Sequence, residues 1–146
     1  MAIDDVSRLA FTSLHPDERG SSACRALLQT VRYYRGLGIR FERVMADKGA
    51  CYRSHSFRRW CARLGLEHIR TKPYTPRTNG KAERFIQTSL REWANARSYD
   101  SSEQRARHLP AWLHHYNWHR PHSSLNYKPP IRPAPLPLNN VLGLHS

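Results

Sequence analysis

Acids are scarce in this sequence. Eleven Asp and Glu stand against 24 Lys and Arg, a net charge of +13. That imbalance suits a polyanionic partner, and nucleic acid is the commonest one. Lysine is scarce too, confined to Lys48, Lys72, Lys81 and Lys128, so arginine carries most of the charge. A composition bias accounts for arginine over lysine but not for the missing acids. Cysteine occurs only at Cys24, Cys51 and Cys61. An odd count without C-x-x-C spacing indicates neither a disulfide framework nor a zinc knuckle. No apolar run approaches the roughly 20 residues of a membrane span. The start, Met1-Ala2-Ile3-Asp4-Asp5, lacks the basic and apolar regions of a signal peptide. A cytoplasmic protein with no membrane partner is the default expectation. A length of 146 residues fits one domain, and a hydrophobic fraction of 39% implies a modest core.

What is present alternates between strands and helices. Residues 3–15 read as strand, turn and strand, with Asp4-Asp5-Val6-Ser7 as turn chemistry. Ser21 or Ser22 can cap a helix whose stripe is Ala23, Ala26, Leu27, Thr30, Val31 and Tyr34. Gly36 and Gly38 end it. Phe41 to Ala46 is a short strand that delivers Asp47 at its end. Ser54 opens a helix with Phe57, Trp60, Cys61 and Leu64 inward, and Gly65 stops it. Leu66 to Lys72 is a further strand. The two prolines and the Asn79-Gly80 pair in 73–80 break ladders and helices alike. The longest helix is then expected from about Lys81 to Ala96. Asp100 with Glu103 resembles a capping box before a last helix carrying Leu109, Trp112, Leu113 and Tyr116. Residues 121–146 hold six of the ten prolines and read as an extended tail behind a core of 1–120. The alternation predicts an α/β sheet with helices against it.

Two acids stand out by position. Asp47 ends a strand before Lys48-Gly49, where ligands of α/β sheets gather. Glu83 borders the apolar stripe of the long helix, in what is expected to be its first turn. Converging carboxylates suit Mg²⁺, which takes a few of them and leaves room for phosphate oxygens. By residue chemistry alone a second reading stands beside this one. A strand-end Asp also serves turns, and a first-turn Glu also serves the helix dipole.

The segment Lys72-Pro73-Tyr74-Thr75-Pro76-Arg77-Thr78-Asn79-Gly80-Lys81-Ala82-Glu83-Arg84-Phe85 resembles the end of the catalytic core in DDE-type insertion-sequence transposases and retroviral-type integrases. Asp47 matches that family's second acid and Glu83 its last, with 35 residues between them (positions 48–82). Ile3-Asp4-Asp5-Val6-Ser7-Arg8 and Tyr116-Asn117-Trp118-His119-Arg120-Pro121-His122 resemble two further family segments, so the likeness covers nearly the whole chain. It implies an RNase H-like mixed sheet with flanking helices. It also implies phosphoryl transfer on DNA with Mg²⁺ or Mn²⁺, Asp47 and Glu83 as catalytic metal ligands, and Lys72, Arg77, Asn79, Lys81 and Arg84 as DNA contacts. The implied setting is the bacterial cytoplasm at the nucleoid, with DNA, a second copy or a full-length transposase as partner.

Two departures from the family pattern matter. The family's first catalytic Asp lies on a strand before Ile3, and Met1 stands only two residues earlier. The chain is therefore expected to be N-terminally truncated, to lack the family's first strand and to be inactive. In the family that strand is central, between the strand at Ile3 and the one ending at Asp47. Its loss is expected to leave backbone groups unpaired unless the two flanking strands close the gap. The second departure is Lys48, which brings a cation beside the acid where the family commonly carries Asn. The alternative to a strand transferase is a DNA-binding remnant, an inhibitor of a full-length transposase, or a relic. Elsewhere, His114, His115 and His119 read as a solvated or DNA-facing helix face, with metal binding as the weaker reading. Trp112 and Tyr116 read as core. Arg58, Arg59 and Arg63 suit a phosphate patch and an ordinary wet face equally.

Overall fold

The computed structural model describes residues 1–47, 49–70, 76–131 and 140–144. Its sheet has five strands: β1 (Ala2–Asp4), β2 (Ala10–Phe11), β3 (Phe41–Ala46), β4 (Glu67–Arg70) and β5 (Asn140–Leu144), in the order β2-β1-β5-β3-β4. The helices are α1 (Gly20–Gly36), α2 (Ala50–Arg53), α3 (His55–Arg63), α4 (Pro76–Ser89) and α5 (Ser102–Trp118). A π-helical turn, Leu90–Ala94, continues α4.

Side-chain alternation along a strand divides the core into two layers. Ala2 and Leu9 join Leu27, Tyr34, Val44 and Phe57 under α1 and α3. Their neighbours Ile3 and Ala10 join Phe85, Trp93, Trp112 and Tyr116 under α4 and α5. Trp112 and Tyr116 are core, as their spacing predicts. All three cysteines are buried and free.

Local signals hold in several places. Ser54 Oγ accepts from the Phe57 amide at 3.2 Å, and Gly65 leaves α3 at φ 70°. The turn between β1 and β2 closes on Asp4, whose carboxylate accepts from the Ser7 amide at 2.6 Å and the Ser7 hydroxyl at 2.5 Å. The cap of α5 falls one residue later than expected. Ser101, not Asp100, accepts from the Gln104 amide at 3.1 Å.

Two expectations are corrected. First, the long helix begins at Pro76, not near Lys81, and runs through Asn79-Gly80. Proline is tolerated at a first helical position because its missing N–H would be unpaired there anyway. A lone glycine inside a helix costs only about 1 kcal/mol. Glu83 therefore lies two turns in, beyond reach of the helix N-terminus. Second, β1 and β3 are neither left unpaired nor paired with each other. β5, from the segment expected as tail, lies between them. It runs antiparallel to β1 (Ile3 opposite Gly143) and parallel to β3 (Met45 opposite Gly143). The strand is formed by the short apolar run Val141-Leu142-Gly143-Leu144.

One buried amide ties the layers together. Asn117 on α5 accepts from the Ala10 amide at 2.9 Å and donates to the Ala10 carbonyl at 2.8 Å. It also donates to Tyr33 Oη on α1 at 3.0 Å. The outer edge of β2 is thereby paired by a side chain instead of a strand.

Candidate active site and nucleic-acid interface

Asp47 emerges just past the C-terminal end of β3, half-buried. Its Oδ1 accepts from the Gly49 amide at 2.9 Å, folding the chain sharply into α2. A Cβ on residue 49 would stand 2.9 Å from that same oxygen, so a larger residue there would push the Asp47 carboxylate aside. Cys51 and Tyr52, buried in α2, are both raised above their usual pKa, mainly by burial, and the Asp47 charge adds to the rise.

Glu83 sits exposed on α4, next to Ala82, which packs inward. α4 lies across β1 and β5, and β5 pairs with β3. The two acids thus sit on elements that share β5 as a neighbour. Their hard oxygens suit Mg²⁺ or Mn²⁺. Among the described residues, however, no three of His, Cys, Asp and Glu gather to hold a metal. The histidine face of α5 is exposed, with the His114 and His119 ring centroids 5.3 Å apart.

The expected DNA contacts divide. Lys72 lies outside the described residues. Arg77 and Asn79 fall in the first turn of α4. Lys81 is ion-paired with Asp5 and donates to its carbonyl at 3.1 Å, so it pins α4 to the β1–β2 turn. Arg84 is exposed. Arg58, Arg59 and Arg63 lie on the wet face of α3, with the Arg63 guanidinium 5.4 Å from the Trp60 ring.

Sequence reading assigned no role to several residues that the fold brings to Lys81 and Arg84. A cleft of about 640 Å³ is lined by Arg8, Lys81, Arg84, Arg91 and Arg120 together with Ser123 and Ser124. Arg120 grips Glu92 through two bonds of 2.8 Å, which hold that carboxyl below its usual range. Arg8 and Arg120 both sit inside the recognised segments, and that was the available signal.

An α/β/α sandwich with a mixed five-stranded sheet and an acid past its β3 edge defines the RNase H-like class of fold. Solved integrases share it. The catalytic core domain of BIV integrase superposes at TM-score 0.65 with 20% identity, covering 88% of this chain and 78% of that one. The simian T-cell lymphotropic virus intasome, solved with PP2A regulatory subunit B56 gamma, superposes at 0.71 with 22% identity, covering 92% and 49%. The sequence profile described as integrase core domain matches residues 1–76, and a second profile of that description matches residues 64–130. The chain belongs to the integrase core domain family. Among curated relatives, the InsD transposase of insertion element IS2A/D/F/H/I/K from Escherichia coli is 37% identical over 87 residues, 59% of this chain and 29% of that protein. InsD of insertion element IS2D from E. coli strain K12 gives the same figures. The chain spans under a third of these relatives' length.

Proposed function

We propose that this chain is a DNA-binding integrase core whose Asp47 and Glu83 are the metal-ligating acids of phosphoryl transfer in DNA transposition. One observation carries the reading. Asp47 leaves the end of β3 while Glu83 stands on the helix laid across the adjoining strands β1 and β5. Family membership and the +13 charge support DNA as the substrate. Arg84 and Lys81 supply phosphate contacts from the same helix, and Arg77, Asn79 and Lys72 extend that contact toward the start of α4. Bound Mg²⁺ or Mn²⁺ would polarise phosphate oxygens, and the two carboxylates would hold it in place.

A second reading is favoured by β5. Asn140–Leu144, near the end of the chain, supplies the strand between β1 and β3. A chain that closes its own sheet can act as a DNA-binding module. With two carboxylates and no third donor among the described residues, the outcome proposed for this 146-residue chain is binding without cutting. Such a module would occupy DNA in the bacterial cytoplasm, at the nucleoid, and pair with a second copy or a full-length transposase. No described helix is long and apolar enough to cross a membrane.

The test is binding and nicking of end-labelled duplex DNA with Mg²⁺ or Mn²⁺. Binding should weaken steeply with salt, by about 0.9 in log affinity per log salt for each phosphate neutralised. No cleavage should appear. Salt-insensitive binding would remove the DNA reading. Cleavage that survives Asp47→Asn would remove the assignment of the acid.

A further inference from the structure

We infer that the cleft between the β1–β2 turn, α4 and the 122–128 loop seats the backbone of unpaired DNA, with one base stacked on Tyr127. The inference rests on the DNA reading above and adds a base contact and three arginines to the phosphate contacts of Lys81 and Arg84.

Charge comes first. Arg8, Lys81, Arg84, Arg91 and Arg120 line the cleft. The carboxylates that touch them are Asp5, against Lys81 and Arg8, and Glu92, against Arg120 and Arg91. Five cations against two anions leave an excess that phosphates can neutralise. Arg91 reaches outward with its side chain 74% exposed. The Ser123 and Ser124 hydroxyls add neutral donors of the kind that contact phosphate oxygens.

Backbone strain points to the same place. Among the described residues, those other than glycine with positive φ are Arg8 at 63°, Asn126 at 54° and Tyr127 at 60°. Such conformations persist only where the surroundings impose them, and they cluster at ligand-binding sites. Arg8 is held by its Nε–H to Ser124 Oγ at 3.3 Å and its guanidinium to the Asp5 carbonyl at 2.9 Å. The 122–128 loop is caged by its own backbone. Tyr127 N–H donates to His122 O at 2.9 Å, and His122 N–H donates to Lys128 O at 3.2 Å.

That cage presents an aromatic ring outward. Tyr127 is 76% exposed, on a loop whose other end lines the cleft. An exposed ring on a loop that leads into a cationic groove is a pairing that suits single strands, where bases are free to stack. Bases of a duplex are already stacked and offer it nothing.

The experiment is fluorescence anisotropy of the full chain on two labelled DNAs, a duplex and a single strand of about 10 nucleotides, a length within one binding site. Tyr127→Ala should weaken the single strand at least about 5-fold and leave the duplex unchanged. Tyr127→Phe should restore it. Arg91→Gln should lower the salt slope on the single strand by about 0.7. Both side chains are exposed, so urea midpoints should stay at the wild-type value. If the wild type binds DNA and neither Tyr127→Ala nor Arg91→Gln changes it, the cleft is refuted while the DNA reading stands. If no DNA binds even at low salt, both fall together.

Discussion

Replacing Asn117 with alanine should detach β2 from α5. The side chain is fully buried and makes three hydrogen bonds, two of them to the backbone of Ala10, itself fully buried. Alanine leaves the Ala10 N–H and C=O without partners on that side, and water cannot reach them. A buried polar group so stranded costs about 1–3 kcal/mol. Two such groups, less some relaxation, give about 3–4 kcal/mol, a large share of the 5–15 kcal/mol typical of a domain. With a urea m-value of about 2 kcal/mol/M, the midpoint should fall by about 1.5–2 M. Asn117→Asp sharpens the test. One carboxylate oxygen can still accept from the Ala10 amide, but the other now faces the Ala10 carbonyl where a donor stood. Asp should therefore be at least as damaging as Ala at pH 7 and milder in acid, once the carboxyl carries a proton to donate. Urea melts followed by circular dichroism read both. A midpoint shift under about 0.5 M for Asn117→Ala would refute the claim that this amide holds the sheet edge.

Three more outcomes follow from the same structure. Glu92 has its pKa lowered by the Arg120 bonds, so its contribution is present above the unfolded carboxylate value and lost as pH falls through the folded one. Glu92→Gln should cost about 1–2 kcal/mol at pH 7 and make the acid limb of a stability profile shallower. Asp4 behaves in the opposite sense. Burial raises it, against the lowering effect of its Ser7 bonds, so its favourable term exists at low pH and is lost as pH rises through the folded value. The stability of wild type relative to Asp4→Asn should accordingly decline as pH rises above the usual carboxylate range, and a flat difference would contradict this. Deleting residues 140–146 should abolish cooperative unfolding, because both central edges of the sheet lose their partner. A synthetic peptide of that segment added in trans should restore it.

What the sequence revealed was local. The stripe on α1, the Ser54 cap, the Gly65 stop and Asp47 at the end of β3 all follow from near neighbours, and all appear in the fold. What it hid depended on distance or on a misleading residue. Pro76 looked like a breaker because a first helical position cannot be told from a loop without knowing where the helix starts. β5 looked like tail because four apolar residues behind a run of prolines acquire meaning only from the two strands they join. Asn117 stood in a family segment without a role of its own until Ala10, more than a hundred positions away, became its partner. The spacing of the two acids came from the family resemblance, and composition supplied only the charge.

The central claim is that Asp47 and Glu83 serve one metal-bearing site on a DNA-binding core. Electron paramagnetic resonance of Mn²⁺ added to the chain with DNA counts the ions held. The account predicts bound Mn²⁺ for the wild type. It predicts equal loss for Asp47→Asn and Glu83→Gln and no further loss when both are changed, because groups sharing one site are not additive. Undiminished binding in either single variant, or separate losses that add in the double variant, would contradict it.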